Sequence, residues 1–567
     1  VDVLKDSPVF KTLEKNVKPG RTVCASGLST INKSNIIYAL CRLKGVTAFC
    51  LASDEKEAQT LCNDLSCMGL RAYVYPVRDF NFLDFQSRSH EYEHARLKVL
   101  LKLINHECDV AIACVDAAAQ LTVPRNVLEQ SVIEFEEGRE LSLEKATKAL
   151  TLLGYERFDA VEGSGQFSLR GGILDFFMPD SDYPVRCEFW GDEITDLSYF
   201  DIETQRRFKK ADKITLSPST EIVIEDRAAL ADKIEHKAKL LRSKNSAKAK
   251  EKLFSEAELI RSGAMIANAD KFINQIYDKP ESLFDYLDRN TLVFASEFTA
   301  IQERGKSMDF ISNETLMQGF EDGTLCRGFD RFALTFNECT EFLQSHGTIV
   351  LENFVHGIMP IKLSEIISFS TKQLSAWGGS YKQLKEDVDG LFTPESRGVI
   401  FAGTERAAKN LCDTFNADGV NAVYSEGADK ISKGELLVMQ GALSAGFEYP
   451  SQKFFAITYS QVSYRPEKSK KKKKKTGQEI YSLSELAPGD YVVHNVHGIG
   501  VFGGIRKIDT HGVIKDYIKI DYAKGDVLYV PVTQLDMVAK YIGPKEDSRV
   551  KLNRLGSGDW QKAKARV

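Results

Sequence analysis

The segment Gly27-Leu-Ser-Thr-Ile-Asn32-Lys33-Ser34 has the spacing of a phosphate-cradling loop, G-x-x-x-x-G-K-[ST], with Asn32 where the second glycine belongs. Glycine at that point lets backbone N–H groups close on phosphate oxygens, and a side chain obstructs the approach. Lys33 and Ser34 keep the residue types that would meet phosphate and magnesium. The other half of such a site is an apolar strand ending in Asp-Glu. The best match is Leu292-Val-Phe-Ala-Ser296-Glu297, where Ser296 offers Mg²⁺ a neutral hydroxyl in place of a carboxylate. No Q-x-x-G-R-x-x-R-like stretch supplies an arginine to a transferring phosphate. These residues predict a nucleotide-hydrolase-like fold without its chemistry, hence no catalytic residue and no cofactor in this chain.

Three further groups could act. His90-Glu-Tyr-Glu-His94 fits H-E-x-x-H and opens a helical stretch, so two histidines one turn apart could hold zinc with Glu91 or Glu93 as base. No third ligand is evident, and an ordinary helix start is the competing reading; the expectation is no metal. On the strand 183–190, alternation puts Tyr183, Val185, Cys187 and Phe189 on a buried face and Pro184, Arg186, Glu188 and Trp190 on the other. A Trp and an Arg on a non-core face are the types most enriched at binding hot spots, unless Trp190 packs under a neighbouring domain of the same chain. From Arg465 to Lys475 eight basic residues face one acid. That run reads as a solvated linker, a nonspecific DNA-phosphate contact, or an address signal.

The elements that must position these groups are legible as patterns. The chain has 567 residues, 43% hydrophobic and 27% charged, which suits several globular domains and excludes wholesale disorder. The net charge of −5 includes the basic run, so the remaining body is acidic and will not coat nucleic acid over its whole surface. Eleven cysteines without a C-x-x-C pair read as buried thiols of a reducing compartment. No stretch is long and apolar enough for a membrane helix, and the opening VDVLKDSPVF carries no leader. A cytoplasmic chain, monomeric and cut from something longer, is expected.

Strand–helix alternation over 1–125 predicts a parallel sheet, interrupted at 126–212 by antiparallel strands and resumed over 213–365 after a charged helical stretch. A second small α/β domain is expected at 366–463, a Lys-rich linker at 464–479, a small β-barrel at 480–545, and the start of a further linker at 546–567. No internal repeat stands out beyond a loose likeness of the α/β units. The predicted fold is therefore multidomain α/β: a degenerate helicase-like parallel-sheet module, an inserted antiparallel domain, a second α/β domain and an SH3/Tudor-like barrel. In the barrel, Ile505, Arg506, Lys507 and Ile508 end a strand. Ile508 is either spare for contact with a partner strand or a cap on the barrel's own core.

The block LRGGILDFFMPDSDYPVRCEFWGDEITDLSYFDIETQRRF resembles the signature shared by UvrB and the transcription-repair coupling factors. GDYVVHNVHGIGVFGGI, GDVLYVPVTQLDMVAKYIG and LNRLGSGDW resemble the coupling factors' CarD-like polymerase-interacting domain, which UvrB lacks. The Tyr-rich DNA-clamping hairpin of UvrB has no counterpart in YPVRDFNFLDFQSRSHEYEH. The resemblance implies a chain that docks on the β subunit of stalled RNA polymerase through Ile505, Arg506, Lys507 and Ile508. It implies recruitment of UvrA through Arg170, Arg186 and Trp190 for nucleotide excision repair, with that surface masked until a motor engages. An ATP- and Mg-dependent translocase on double-stranded DNA would lie beyond Val567. A UvrB-like ATP-dependent repair enzyme and a CarD-like transcription regulator are the alternatives.

Overall fold

The computed structural model describes residues 2–78, 90–130, 133–241, 246–263, 269–355, 359, 361–374, 381–427, 431–459, 477–479, 489–494, 497–510, 513–523, 526–531, 538–541 and 552. They fall into two compact units, 1–462 and 463–567. No described helix is long and apolar enough to cross a membrane.

The first unit is built on a seven-stranded parallel sheet. Its order is Glu365–Ser368, Val23–Ser26, Thr348–Leu351, Leu292–Ser296, Ala48–Ala52, Val110–Cys114, Ala72–Tyr75. The central strands are apolar at every position because helices cover both faces. The Glu365–Ser368 strand pairs with Val23–Ser26, so the first sheet runs past the expected boundary at 365. The inserted domain likewise extends beyond 212. Its strand Lys213–Leu216 closes on Ile133–Glu136, and a six-stranded sheet carries the order Arg207–Lys210, Glu193–Phe200, Val185–Trp190, Ile173–Phe176, Gln166–Arg170, Glu156–Arg157. The charged stretch that follows forms two packed helices, Arg227–Leu240 and Ser246–Arg261.

The small α/β region holds a six-stranded sheet ordered Lys372–Leu374, Gly446–Tyr449, Phe454–Thr458, Arg397–Phe401, Glu435–Met439, Ala422–Tyr424. It contains a repeat that the sequence reading missed. Ala52, Glu55, Ala58, Leu61, Cys62, Gly69 and Ala72 recur, at constant spacing, as Ala402, Glu405, Ala408, Leu411, Cys412, Gly419 and Ala422. The helices Glu55–Cys67 and Glu405–Ala417 are each 13 residues long. Each is capped by a side chain, Asp54 or Thr404. The Cys62 thiol donates to the Ala72 carbonyl at 3.3 Å, and Cys412 to Ala422 at 3.2 Å. The strands that follow insert in the same relative order in both sheets.

The second unit is an antiparallel sheet ordered Gly477–Glu479, Val538–Tyr541, Tyr491–His494, Gly498–Thr510, Val513–Asp521, Val527–Pro531. Among the described residues no ladder joins its two outer strands, so the expected closed barrel is not found there. The long hairpin Gly498–Thr510/Val513–Asp521 runs beyond the strands flanking it as a two-stranded ribbon. Gly477–Glu479 is a strand of this sheet and not linker. The lysine run lies outside the described residues.

Candidate functional site

The nucleotide-like loop sits between the Val23–Ser26 strand and the helix Thr30–Lys44, as its spacing predicts. Its groups face inward. Gly27 adopts φ +79°, and a Cβ there would lie 2.2 Å from the Phe369 carbonyl oxygen. The N–H groups of Gly27 and Leu28 donate to the carbonyls of Asn353 and Glu352, both at 3.1 Å. Ser29 donates to the Asn32 side-chain oxygen at 2.6 Å, and Asn32 is fully buried. Buried Lys33 donates to Glu297 at 2.5 Å, to Ser296 at 2.9 Å and to Glu57 at 3.4 Å. Ser296 donates to Glu57 at 2.5 Å.

The Lys33 ammonium is thus engaged by the chain's own carboxylates. Burial opposes ionisation of Glu297, but the Lys33 cation outweighs it and holds the carboxyl below the usual range. Burial lifts neighbouring Glu352 to about 7, with the Glu297 charge adding to the shift. Ser34 donates to Asp64 at 3.4 Å. Asp64 also accepts from the N–H and hydroxyl of Ser444, both at 2.7 Å, joining the loop helix to the small α/β region. Burial pushes the Asp64 carboxyl up to about 6, against the pull of these hydrogen bonds. Glu57 and Asp64 were not picked out from the sequence. Their signal is that two acids share a helical row with Leu61, beside the buried Ala58, Cys62 and Leu65.

His90 and His94 stack at 5.9 Å between ring centroids in the first turn of the helix Glu91–Ile104. His90 Nδ1 lies 3.0 Å from Glu93, and His94 Nε2 lies 3.1 Å from the Ser219 hydroxyl. Glu93 is buried and accepts from Thr220 at 2.9 Å and the Glu221 N–H at 2.8 Å. These groups tie the helix to the chain returning from the inserted domain. Among the described residues no cluster of three metal-ligating side chains exists. Most of the stretch compared with the DNA-clamping hairpin, residues 79–89, lies outside the described residues.

The inserted domain turns its polar groups outward. Strand Val185–Trp190 buries Val185, Cys187 and Phe189, as alternation requires. Tyr183 and Pro184 depart from expectation: they precede the strand, so Tyr183 is exposed against Phe208 and Pro184 is buried. On the outer face, buried Asp175 accepts from Arg186 Nε at 2.7 Å and Nη2 at 2.8 Å, and from Arg170 at 2.7 Å. Arg186 lies 4.4 Å over the Phe200 ring and donates to the Gln205 carbonyl. It is held rigid, with a side chain 13% exposed. Trp190, at the strand end, is 81% exposed, so no neighbouring domain covers it among the described residues. A fixed guanidinium pair and a bare indole on one sheet face can seat a partner at low ordering cost.

In the second unit, Ile505 is 45% exposed and Arg506 is exposed. Lys507 and Ile508 pair in register with Asp516 and Lys515, and their side chains lie outside the described residues. A register shift between Phe502 and Ile505, where Gly504 takes φ +91°, interrupts the side-chain alternation along this strand.

Residues 133–222 match the UvrB interaction domain family, and residues 486–542 match the CarD-like/TRCF RID domain family. The transcription-repair-coupling factor of Bacillus subtilis (strain 168) is 29% identical over the whole chain, which covers 49% of that relative. Those of Staphylococcus haemolyticus and Staphylococcus aureus (strain MRSA252) are 28% and 25% identical over 87% of the chain, covering 43% of each. The chain spans about half the length of the curated relatives it matches. With both domain matches on one polypeptide, the chain is similar along its whole length to the N-terminal half of transcription-repair-coupling factors.

Proposed function

We propose that this chain is the docking and recruiting region of a transcription-repair coupling factor, and that it uses no nucleotide of its own. Residues 486–542 would engage the β subunit of RNA polymerase, with Ile505 and Arg506 at the contact and Lys507 and Ile508 following in the strand. Residues 133–222 would present Arg170, Arg186 and Trp190 to UvrA. The observation that carries the reading is Trp190. An indole left bare at the end of an ordered strand, on the same sheet face as arginines already fixed by Asp175, is covered by little of the described chain. A motor on double-stranded DNA belongs in this proposal to the rest of the parent protein. The UvrB-like enzyme reading is disfavoured by Lys33, whose ammonium already donates to Glu57, Ser296 and Glu297.

Calorimetry of the full chain with purified UvrA tests the recruiting role. Trp190→Ala should weaken binding by about 30-fold, the ~2 kcal/mol typical of a hot spot, with an unchanged melt. Equal affinity of the variant and the parent chain would refute the assignment. Titration with a fluorescent ATP analogue and Mg²⁺ should give no micromolar binding that Lys33→Ala abolishes.

A further inference from the structure

The helix pair Arg227–Leu240 and Ser246–Arg261 separates its charges end from end. A stripe of Ala231, Ile234, Ala238, Ala249, Leu253, Ala257 and Ile260 holds the two together over Phe272 and Phe329. Near the start of the first helix and the end of the second, Arg261 is gripped by Asp232, Glu235 and Glu258 at 2.9, 2.7 and 3.0 Å. Toward the other end, the described residues between Lys237 and Lys252 hold five lysines and one acid, Glu251.

Three of these lysines, Lys239, Lys248 and Lys250, are held by no close ion pair among the described residues. Lys237 reaches the Gly328 carbonyl at 3.4 Å, and Lys239 lies a loose 3.7 Å from Glu235. Lys248 and Lys250 have no ion pair among the described residues. Both stand near the start of their helix, where the macrodipole disfavours cations and where no acid sits in the first turn. Leu240, next to Lys239 at the end of the first helix, is 60% exposed. The rest of the chain is acidic on balance, so an anionic polymer is repelled by most of this surface and attracted by this end.

We propose that the lysine end of this helix pair contacts the phosphate backbone of duplex DNA. Ammonium groups are compact point charges suited to phosphate without base readout. Phe254, one turn beyond Lys250, is the exposed aromatic of this helix, too little for the successive stacking that single-strand binding uses.

The test is fluorescence anisotropy with a labelled 30-base-pair duplex, between 50 and 200 mM salt. The reference is the full chain with Lys470–Lys475 changed to serine, because that run attracts phosphate on its own. Adding Lys239→Glu, Lys248→Glu and Lys250→Glu should weaken binding at least about tenfold at 50 mM salt. It should also reduce the slope of log affinity against log salt by about 2–3, near 0.9 for each phosphate no longer neutralised. The glutamine triple should keep the melt and weaken binding at least about threefold. An exposed control triple, Lys56→Glu, Lys145→Glu and Lys382→Glu, should bind as the reference does. No binding by the reference at 50 mM salt, or a weakening under threefold in the charge-reversal triple, or an equal weakening in the control, overturns the proposal.

Discussion

The two related α/β stretches, 48–75 and 398–424, differ where their sequences part. The first helix carries Glu57 and Asp64, and the second carries Ala407 and Thr414 at the same places. Only the first faces a nucleotide-like loop, and its two acids take the two loop residues that a nucleotide and metal would engage, Lys33 and Ser34. The second copy, with no such loop to satisfy, keeps the shared caps, the thiol-to-carbonyl hydrogen bond and the apolar stripe alone. What the copies share is scaffold, and what they do not share is the pair of acids that meets Lys33 and Ser34. A buried lysine without a phosphate must find carboxylates, because an unpaired interior charge costs several kcal/mol.

The difference can be attacked most strongly at Lys33. Lys33→Met should cost about 3–5 kcal/mol in the first unit, since Glu57 and Glu297 lose their buried cation. Adding Glu57→Gln should recover part of that stability, and urea melts followed by hydrogen exchange of the strand Ala48–Ala52 would report it. A change within ~0.5 kcal/mol would break the comparison.

Asp64 gives the next effect, and its sign follows from linkage. Its folded value of about 6 lies above the ordinary 3.8, so the native state binds the extra proton between these values. The contribution of Asp64 to stability therefore rises as pH falls from about 6 to about 4, by roughly 2–3 kcal/mol. Asp64→Asn should flatten the melting profile across that window, whereas Thr414→Ala should leave its shape unaltered. A profile unchanged in Asp64→Asn would remove the buried carboxyl from the account.

The shared scaffold predicts matched losses. Cys62→Ala and Cys412→Ala should each cost about 1 kcal/mol, and unequal Tm shifts would show that the two copies are not packed alike. The smallest effect is expected at Ala407, exposed at the third position of its helix after the Thr404 cap. Ala407→Glu should be neutral or stabilise by up to about 0.5 kcal/mol through a capping box, as measured in the same melts.

Much of this was legible before the fold. Continuous apolar runs such as Ala48–Ala52 and Val110–Cys114 announce strands covered on both faces, and the loop's spacing announces a strand-to-helix turn. Domain edges were less legible, because the strands that close each sheet pair with partners far away in sequence. Lys213–Leu216 and Glu365–Ser368 look local until their ladders to Ile133–Glu136 and Val23–Ser26 are seen. Alternation selected Arg186 and Trp190 correctly for the outer face, and failed at Tyr183 and Pro184 because period two holds only inside a strand. Neither Glu57 nor Asp64 could be paired with Lys33 or Ser34 from spacing, since only the folded sheet brings the two helices side by side.

The Val23–Ser26 strand is flanked by Thr348–Leu351 and Glu365–Ser368, and the hydroxyls of Ser26 and Ser368 meet across 342 positions. During synthesis at ~5–20 residues per second, the first strand waits on the order of 20–70 s for its last neighbour to emerge. The inserted domain needs no residue beyond Leu216 for its own sheets, so it can finish while the strand that precedes it is still unpaired. The inserted domain can thereby be complete while the apolar edge of Val23–Ser26 is still open to holdase chaperones and to misassembly on the ribosome.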